Sequence, residues 1–286
     1  MAETTGISWT DATWSPVTGC SKVSPGCDHC YAATFTERLE KSGHHRKYGG
    51  LARNGNWTGE VRCHPDVLEQ PLHWKRPRRI FVNSMSDTFH DKVPRSFQCQ
   101  MFDIMEACPQ HIFQVLTKRP GQMAYFADPL TQAALGRPGW RWPDHVWAGT
   151  SVESQKYAPR LDVLARVPAK VRFVSAEPLL GPLDLRKWLA MCECGDSLSN
   201  HLDGKECCLW QPGLCSCTRF KAMLNWVICG GESGPGHRPM DLVWLESLAA
   251  QCVAAGVPLW VKQASGLRPG QQGHIPDALW ATKEMP

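Results

Sequence analysis

The chain lacks any run of 18 apolar residues, which argues against a membrane-spanning helix. Its opening stretch, MAETTGISWTDATW, has no apolar core of the kind a secretory signal needs, so a cytoplasmic setting is expected. No unit of 20–50 residues recurs and no tract is of low complexity, which sets aside solenoids, propellers and long unstructured linkers. Neither sign of charge dominates. Lys and Arg number 31 against 27 Asp and Glu, and the net +4 permits an anionic partner without requiring one. Charged residues are 20% and apolar residues 43%, so the 286 residues can bury a core.

Tryptophan and cysteine are abundant instead, 13 and 14 residues. A cytosolic chain keeps its thiols reduced, so this many cysteines point to metal or cluster ligation before disulfides.

Short runs rich in Val, Ile, Phe and Trp recur along the chain: IFVN (80–83), IFQVL (112–116), HVWAG (145–149), VRFVS (171–175), WVICG (226–230) and PLWVK (258–262). They are apolar on both faces, as strands of a parallel sheet covered by helices are. Segments 31–40, 95–107, 153–166 and 241–255 suit helices. The alternation predicts one α/β domain, an open sheet or a β/α barrel. Each run ends in small, hydroxyl or charged residues, such as Ser84-Met85-Ser86-Asp87, Thr117-Lys118-Arg119, Glu177, Glu232 and Lys262. In a barrel such ends converge on one mouth, where chemistry sits. Two segments interrupt the pattern: a basic, Gly-rich stretch at 41–79 and a Cys-rich stretch at 190–219.

The segment TWSPVTGCSKVSPGCDHCYA contains Cys20, Cys27 and Cys30 in a C-x6-C-x2-C arrangement. Three thiolates on one loop can hold three irons of a 4Fe–4S cube and leave the fourth iron open to substrate or cofactor. Structural zinc wants four closed ligands. His29 offers the fourth, so a Cys3His zinc site is the alternative.

With its C-x-x-C ending and a ring-bearing residue before the last Cys, this loop resembles the radical S-adenosylmethionine (SAM) superfamily. Within it, the closer likeness is to a phage-associated branch of three-cysteine-motif proteins, over roughly residues 5–265. The superfamily's usual first spacing is x3, so x6 is a departure. The resemblance implies a partial (β/α) TIM-like barrel spanning 1–286, with a Cys-rich metal-binding insertion. It implies a 4Fe–4S cluster on Cys20, Cys27 and Cys30. SAM would chelate the open iron, be cleaved by one electron from a flavodoxin- or ferredoxin-type reductant, and lead to hydrogen abstraction from substrate. His29 stands where the backbone meets the adenine. Ser84, Ser86 and Asp87 replace the Gly-Gly-Glu that holds the SAM amino group, with Asp87 facing the ammonium. Gly230, Gly231 and Glu232 lie where a late backbone contact to the adenine is made. Lys118 and Glu177 line a polar pocket for methionine carboxylate, ribose or substrate, or else form a single ion pair.

In the second cysteine group, Cys192, Cys194, Cys207, Cys208, Cys215 and Cys217 are six thiols within 26 residues with little apolar sequence, so metal would have to organise them. Four of the six, or His201 in place of one, suit zinc; an auxiliary iron–sulfur cluster is the second choice. Lys75-Arg76-Pro77-Arg78-Arg79 follows Trp74, and cations beside aromatics suit phosphates and bases. Trp140 and Trp142 either stack on a base or pack. A nucleic-acid base is therefore a candidate substrate. A non-catalytic, zinc-organised nucleic-acid-binding protein is the competing reading, and a hydrolase using Glu177 and Glu232 ranks last. The residues do not specify oligomeric state.

Overall fold

The computed structural model describes residues 5–189 and 220–286, and between them only the short strands Met191–Cys192, His201–Leu202 and Glu206–Cys207. Cys194, Cys208, Cys215 and Cys217 therefore lie outside the described residues. Cys192 and Cys207 are described as backbone alone, opposite Phe220 and His201 in two antiparallel pairs.

Seven parallel strands form one sheet in strictly sequential order. They are β1 (Ala12–Trp14), β2 (Arg79–Val82), β3 (Ile112–Thr117), β4 (Val146–Ser151), β5 (Arg172–Ala176), β6 (Trp226–Gly230) and β7 (Leu259–Gln263). The sheet curls into a half-barrel. The main helices are α1 (Tyr31–Lys41), α2 (Arg95–Glu106), α3 (Pro120–Ala127), α4 (Arg160–Leu164) and α5 (Leu242–Ala255). Among the described residues, no helix is long and apolar enough to cross a membrane.

Six strands fall on the expected runs. β1 escapes the pattern because three residues are too few to display a period. The helix expected over 153–166 is instead a 3-10 turn, Gln155–Tyr157, followed by α4. Pro159 stands between them and has no N–H with which to continue a turn. α5 is well punctuated: the Asp241 side chain accepts from Val243 N at 3.0 Å, and Gly256 closes the helix at φ 63°.

Both faces of the sheet are buried, which is why its strands read as continuous apolar runs. Ile80, Val82, Val146, Ala148, Val174, Val227 and Cys229 belong to the large core shared with the helices. Their neighbours Phe81, Trp147, Phe173, Trp226 and Ile228 form a second cluster with Trp9. Period-2 alternation sends one set outward and the other into the concavity. Ring centroids there stand 4.7 Å apart for Trp9–Phe81, 5.9 Å for Trp147–Trp226 and 5.6 Å for Phe173–Trp226. The half-barrel is thus plugged with aromatic rings, each pair adding about 0.5–1.5 kcal/mol to its area burial. Gly149 makes room for this plug, since a Cβ at that position would overlap the Phe173 ring.

The 41–79 segment is not a bare loop. It contains the helical turn His45–Tyr48 and the hairpin Ala52–Arg53/Asn56–Trp57, and it pairs Arg62–Cys63 with Val17–Thr18. Tyr48, Leu51, Ala52, Leu68 and Trp74 are buried. The basic run Lys75–Arg79 leads into β2 from the end opposite the polar strand tips. There Arg79 pairs with Asp11 at 2.8 Å, and Arg78 lies 5.1 Å from the Trp74 ring centre. Trp140 and Trp142 pack against Phe102 and against each other, away from those tips.

Gly149→Ala should lower the unfolding free energy by about 1–3 kcal/mol, because the added methyl overpacks a closed aromatic cluster. Urea denaturation checks it, and pairing the change with Phe173→Leu should recover part of the loss.

Candidate active site

Along each strand the inward side chains climb from rings to polar groups. Counting by two gives Trp147, Gly149, Ser151 on β4, and Phe173, Ser175, Glu177 on β5. It gives Trp226, Ile228, Gly230, Glu232 on β6, and Trp260, Lys262 on β7. At the tips these residues meet one open-sided cavity of about 210 Å³. Trp9, Phe81 and Leu116 give it an apolar floor.

The cavity gathers most of the residues the sequence singled out. Cys20, Cys27, Cys30 and His29 line it on one side. Ser84, Ser86, Asp87, Lys118, Glu177, Gly231 and Glu232 line it from the strand tips. Gly230 sits just beneath, where a Cβ would stand 3.0 Å from Glu177 Oε1. Gly231 passes so close to the Ser265 backbone that no side chain fits. Both glycines thus let neighbouring strand tips approach.

The cysteine loop is fastened to the tips at three points, each built on a buried carboxylate. At its start, Arg119 donates to Ser21 O at 3.1 Å and Ser21 Oγ at 2.8 Å, and its Nη1 lies 3.8 Å from Cys20 Sγ. The same guanidinium pairs with Asp87 at 3.0 Å. Asp87 also accepts from Thr117 Oγ1, Phe89 N and Lys118 N. Every acceptor direction of Asp87 is therefore in use, and an ammonium ligand would have to share it with Arg119. Burial, followed by Asp87, pushes the free Cys20 thiol up to about 12, with Arg119 pulling the other way.

In the middle of the loop, Ser24 donates its hydroxyl to Glu153. Glu153 is 1% exposed and sits between Lys118 at 2.7 Å and Arg160 at 2.9 Å. Burial opposes its ionisation, but Lys118, Ser24 and Arg160 outweigh that and hold the carboxyl below its usual range. Gly26 makes the contact possible: a Cβ there would meet Glu153 at 2.5 Å and Lys118 Nζ at 2.6 Å.

At the end of the loop, His29 Nδ1 meets Glu232 at 2.8 Å, leaving Nε2 as its other ring nitrogen. Arg238 clamps Glu232 through Nε at 3.0 Å and Nη2 at 2.5 Å, and also donates to Pro25 O at 2.9 Å. Burial opposes the charge on Glu232, but Arg238 and His29 hold its carboxyl at about 2. α1 then starts directly at Cys30, which is its N-cap, so the positive end of the helix dipole lies against the triplet.

Lys118 and Glu177 both carry ion pairs, though not with each other. Lys118 goes to Glu153, and Glu177 to Lys262 at 2.9 Å, with Ser175 Oγ at 3.2 Å from the second oxygen. Ser86 Oγ is buried beside the cavity with no hydrogen-bond partner among the described residues. Sequence reasoning did not assign Arg119, Glu153, Arg160 or Arg238. The first two stood in plain view at the ends of β3 and β4. Arg160 and Arg238 carried no local signal.

Among the described residues, no group of three His, Cys, Asp or Glu side chains is gathered around a single point that could hold one metal ion. A family model described as "Protein of unknown function (DUF5131)" matches residues 4–277. The chain belongs to that family. No curated protein and no solved structure matches it. The family match spans the cysteine loop, all seven strands and the cavity.

Two outcomes follow. Glu153→Ala strands Lys118 and Arg160 in a buried site, so unfolding free energy should drop by about 3–5 kcal/mol. The triplet thiols should then react faster with a thiol reagent, whereas Lys187→Ala, which breaks an exposed pair with Asp162, should do neither. For Glu232, the folded pKa of about 2 lies below the ordinary 4.5, so its stabilisation is complete above that value and lost as pH falls towards 2. Glu232→Gln should flatten the stability curve across that window, measured by chemical denaturation.

Proposed function

We propose that the chain is a radical SAM enzyme that holds a 4Fe–4S cluster on Cys20, Cys27 and Cys30 and abstracts hydrogen from its substrate. The observation that carries this reading is the convergence of all three triplet cysteines on the cavity where the polar strand tips meet. The donor set suits the group: three sulfurs from one loop, a guanidinium beside Cys20, and the unpartnered Ser86 Oγ at the same wall. A cluster with SAM supplies, when bound, one-electron cleavage of the sulfonium and hydrogen-atom abstraction.

The chain's own residues supply the setting. Arg119 favours a thiolate at Cys20 and donates towards its sulfur, a contact of the kind that tunes cluster potential. Binding must release the proton that burial holds on Cys20. Trp9, Phe81 and Leu116 give a bound ligand an apolar floor. Glu177, Lys262 and Ser86 offer a carboxylate, an ammonium and a hydroxyl for ligand recognition. The setting is a reducing cytoplasm with a flavodoxin- or ferredoxin-type donor. The second cysteine group would bind zinc or an auxiliary cluster.

One observation favours the competing zinc reading. A carboxylate on one nitrogen of His29, with the other open, is how zinc-bound imidazoles are oriented. Anaerobic reconstitution separates the two. About four irons should load on the triplet, and reduced protein should convert SAM to 5′-deoxyadenosine. Cys30→Ala should abolish both. Colourless protein with zinc on the triplet would sink the radical reading.

A further inference from the structure

We propose that the exposed face of α1, with the cationic segment packed beside it, is a docking track for single-stranded nucleic acid that leads into the cavity. α1 leaves the cavity wall at Tyr31. Tyr31 and Phe35 stand one turn apart on its outer face, 49% and 46% exposed, and Arg38 follows on the same face. Val23, on the cavity wall itself, is 40% exposed. Two exposed rings one turn apart offer flat faces on which a base can stack.

The charge beside this stripe identifies the partner. Residues 31–53, α1 with the segment beside it, contain five Lys and Arg against two carboxylates, Glu37 and Glu40, a net +3 in a chain of net +4. Arg38, Lys41, Arg46 and Arg53 are exposed. Both carboxylates accept from backbone amides of the segment, Glu40 from Gly50 N at 3.0 Å and Glu37 from Gly55 N. This segment packs on α1 through His45–Tyr48 and through the hairpin that brings Trp57 to the cavity. The run Lys75–Arg79, by contrast, lies at the other end of β2.

Rings to stack on and cations for phosphates are the two demands of a single strand. α1 is about 16 Å long, enough for a few nucleotides. A duplex hides the faces of its bases, whereas an unstacked base can lie on Tyr31 or Phe35 and reach the cavity beyond. As a statement of substrate class the track rests on the radical reading; as a binding surface it is measured separately.

The test uses the full chain, purified anaerobically, with neither SAM nor reductant. Anisotropy of a labelled single-stranded oligothymidylate should report binding that weakens steeply with salt. Phe35→Ala should weaken it about tenfold, the loss of one stacked base, and Phe35→Tyr should restore it. Arg38→Ala should reduce the salt slope by about 0.7. Phe35 is exposed, so the variants' melting temperatures should match the parent's. Unchanged affinity in Phe35→Ala, equal binding of duplex, or displacement by polyglutamate as readily as by unlabelled strand would each overturn the track. Iron loading and SAM cleavage without oligonucleotide binding would remove the track alone. A zinc-filled triplet with intact binding would keep the surface and remove its role in radical chemistry.

Discussion

A carboxylate withdrawn from water must be met by cations and donors, and the rim of this half-barrel withdraws three of them. Asp87, Glu153 and Glu232 sit just beyond the ends of β2, β4 and β6. Each satisfies its charge with a cation from the barrel and, directly or through that cation, with an atom of the cysteine loop. The loop is therefore fixed at its start, middle and end by the same groups that make the strand tips habitable. Buried pairs of this kind contribute little net stability, because desolvation offsets most of the attraction. What they confer is position: removing either side strands a charge, so the loop has one seat.

Much of this architecture is written in a period of two. The runs around Phe81, Trp147, Phe173 and Trp226 are apolar on both faces because helices cover one and a ring cluster fills the other. Counting onward by two from Trp147, Phe173, Trp226 and Trp260 reaches Ser151, Glu177, Glu232 and Lys262, so the cavity's polar lining is legible in the amino-acid order alone. The pairing of those charges is not. Glu153 takes partners from residues 24, 118 and 160, and Glu177 takes Lys262 rather than Lys118. Such choices are settled by the curl of the sheet, which no local pattern encodes. The basic run at 75–79 illustrates the opposite hazard: its composition suits phosphates, yet strand direction puts it at the far end from the cavity.

The long first spacing of the triplet acquires a reason from these contacts. Ser21 and Ser24, between Cys20 and Cys27, make the bonds to Arg119 and Glu153, and Gly26 allows the close approach. A shorter loop would have fewer atoms to offer the rim. The extra residues are a foot on which the loop stands, and Arg238, bound to Glu232 and Pro25 O together, braces it from the other side.

A half-barrel, unlike a full one, has raw margins. At the outer side of β7, Val261 N donates to Thr282 O at 2.9 Å and Glu284 N donates to Leu259 O at 3.0 Å, while Trp260 faces Lys283 across an antiparallel bridge. The chain's own late residues thus occupy the backbone groups that would otherwise recruit a strand from another molecule. Trp226, at the centre of the ring cluster, donates its indole N–H to Glu284 O at 2.9 Å, so this hem is stitched into the interior. The protein guards itself against edge-to-edge stacking with the same segment that seals the bottom of its aromatic plug.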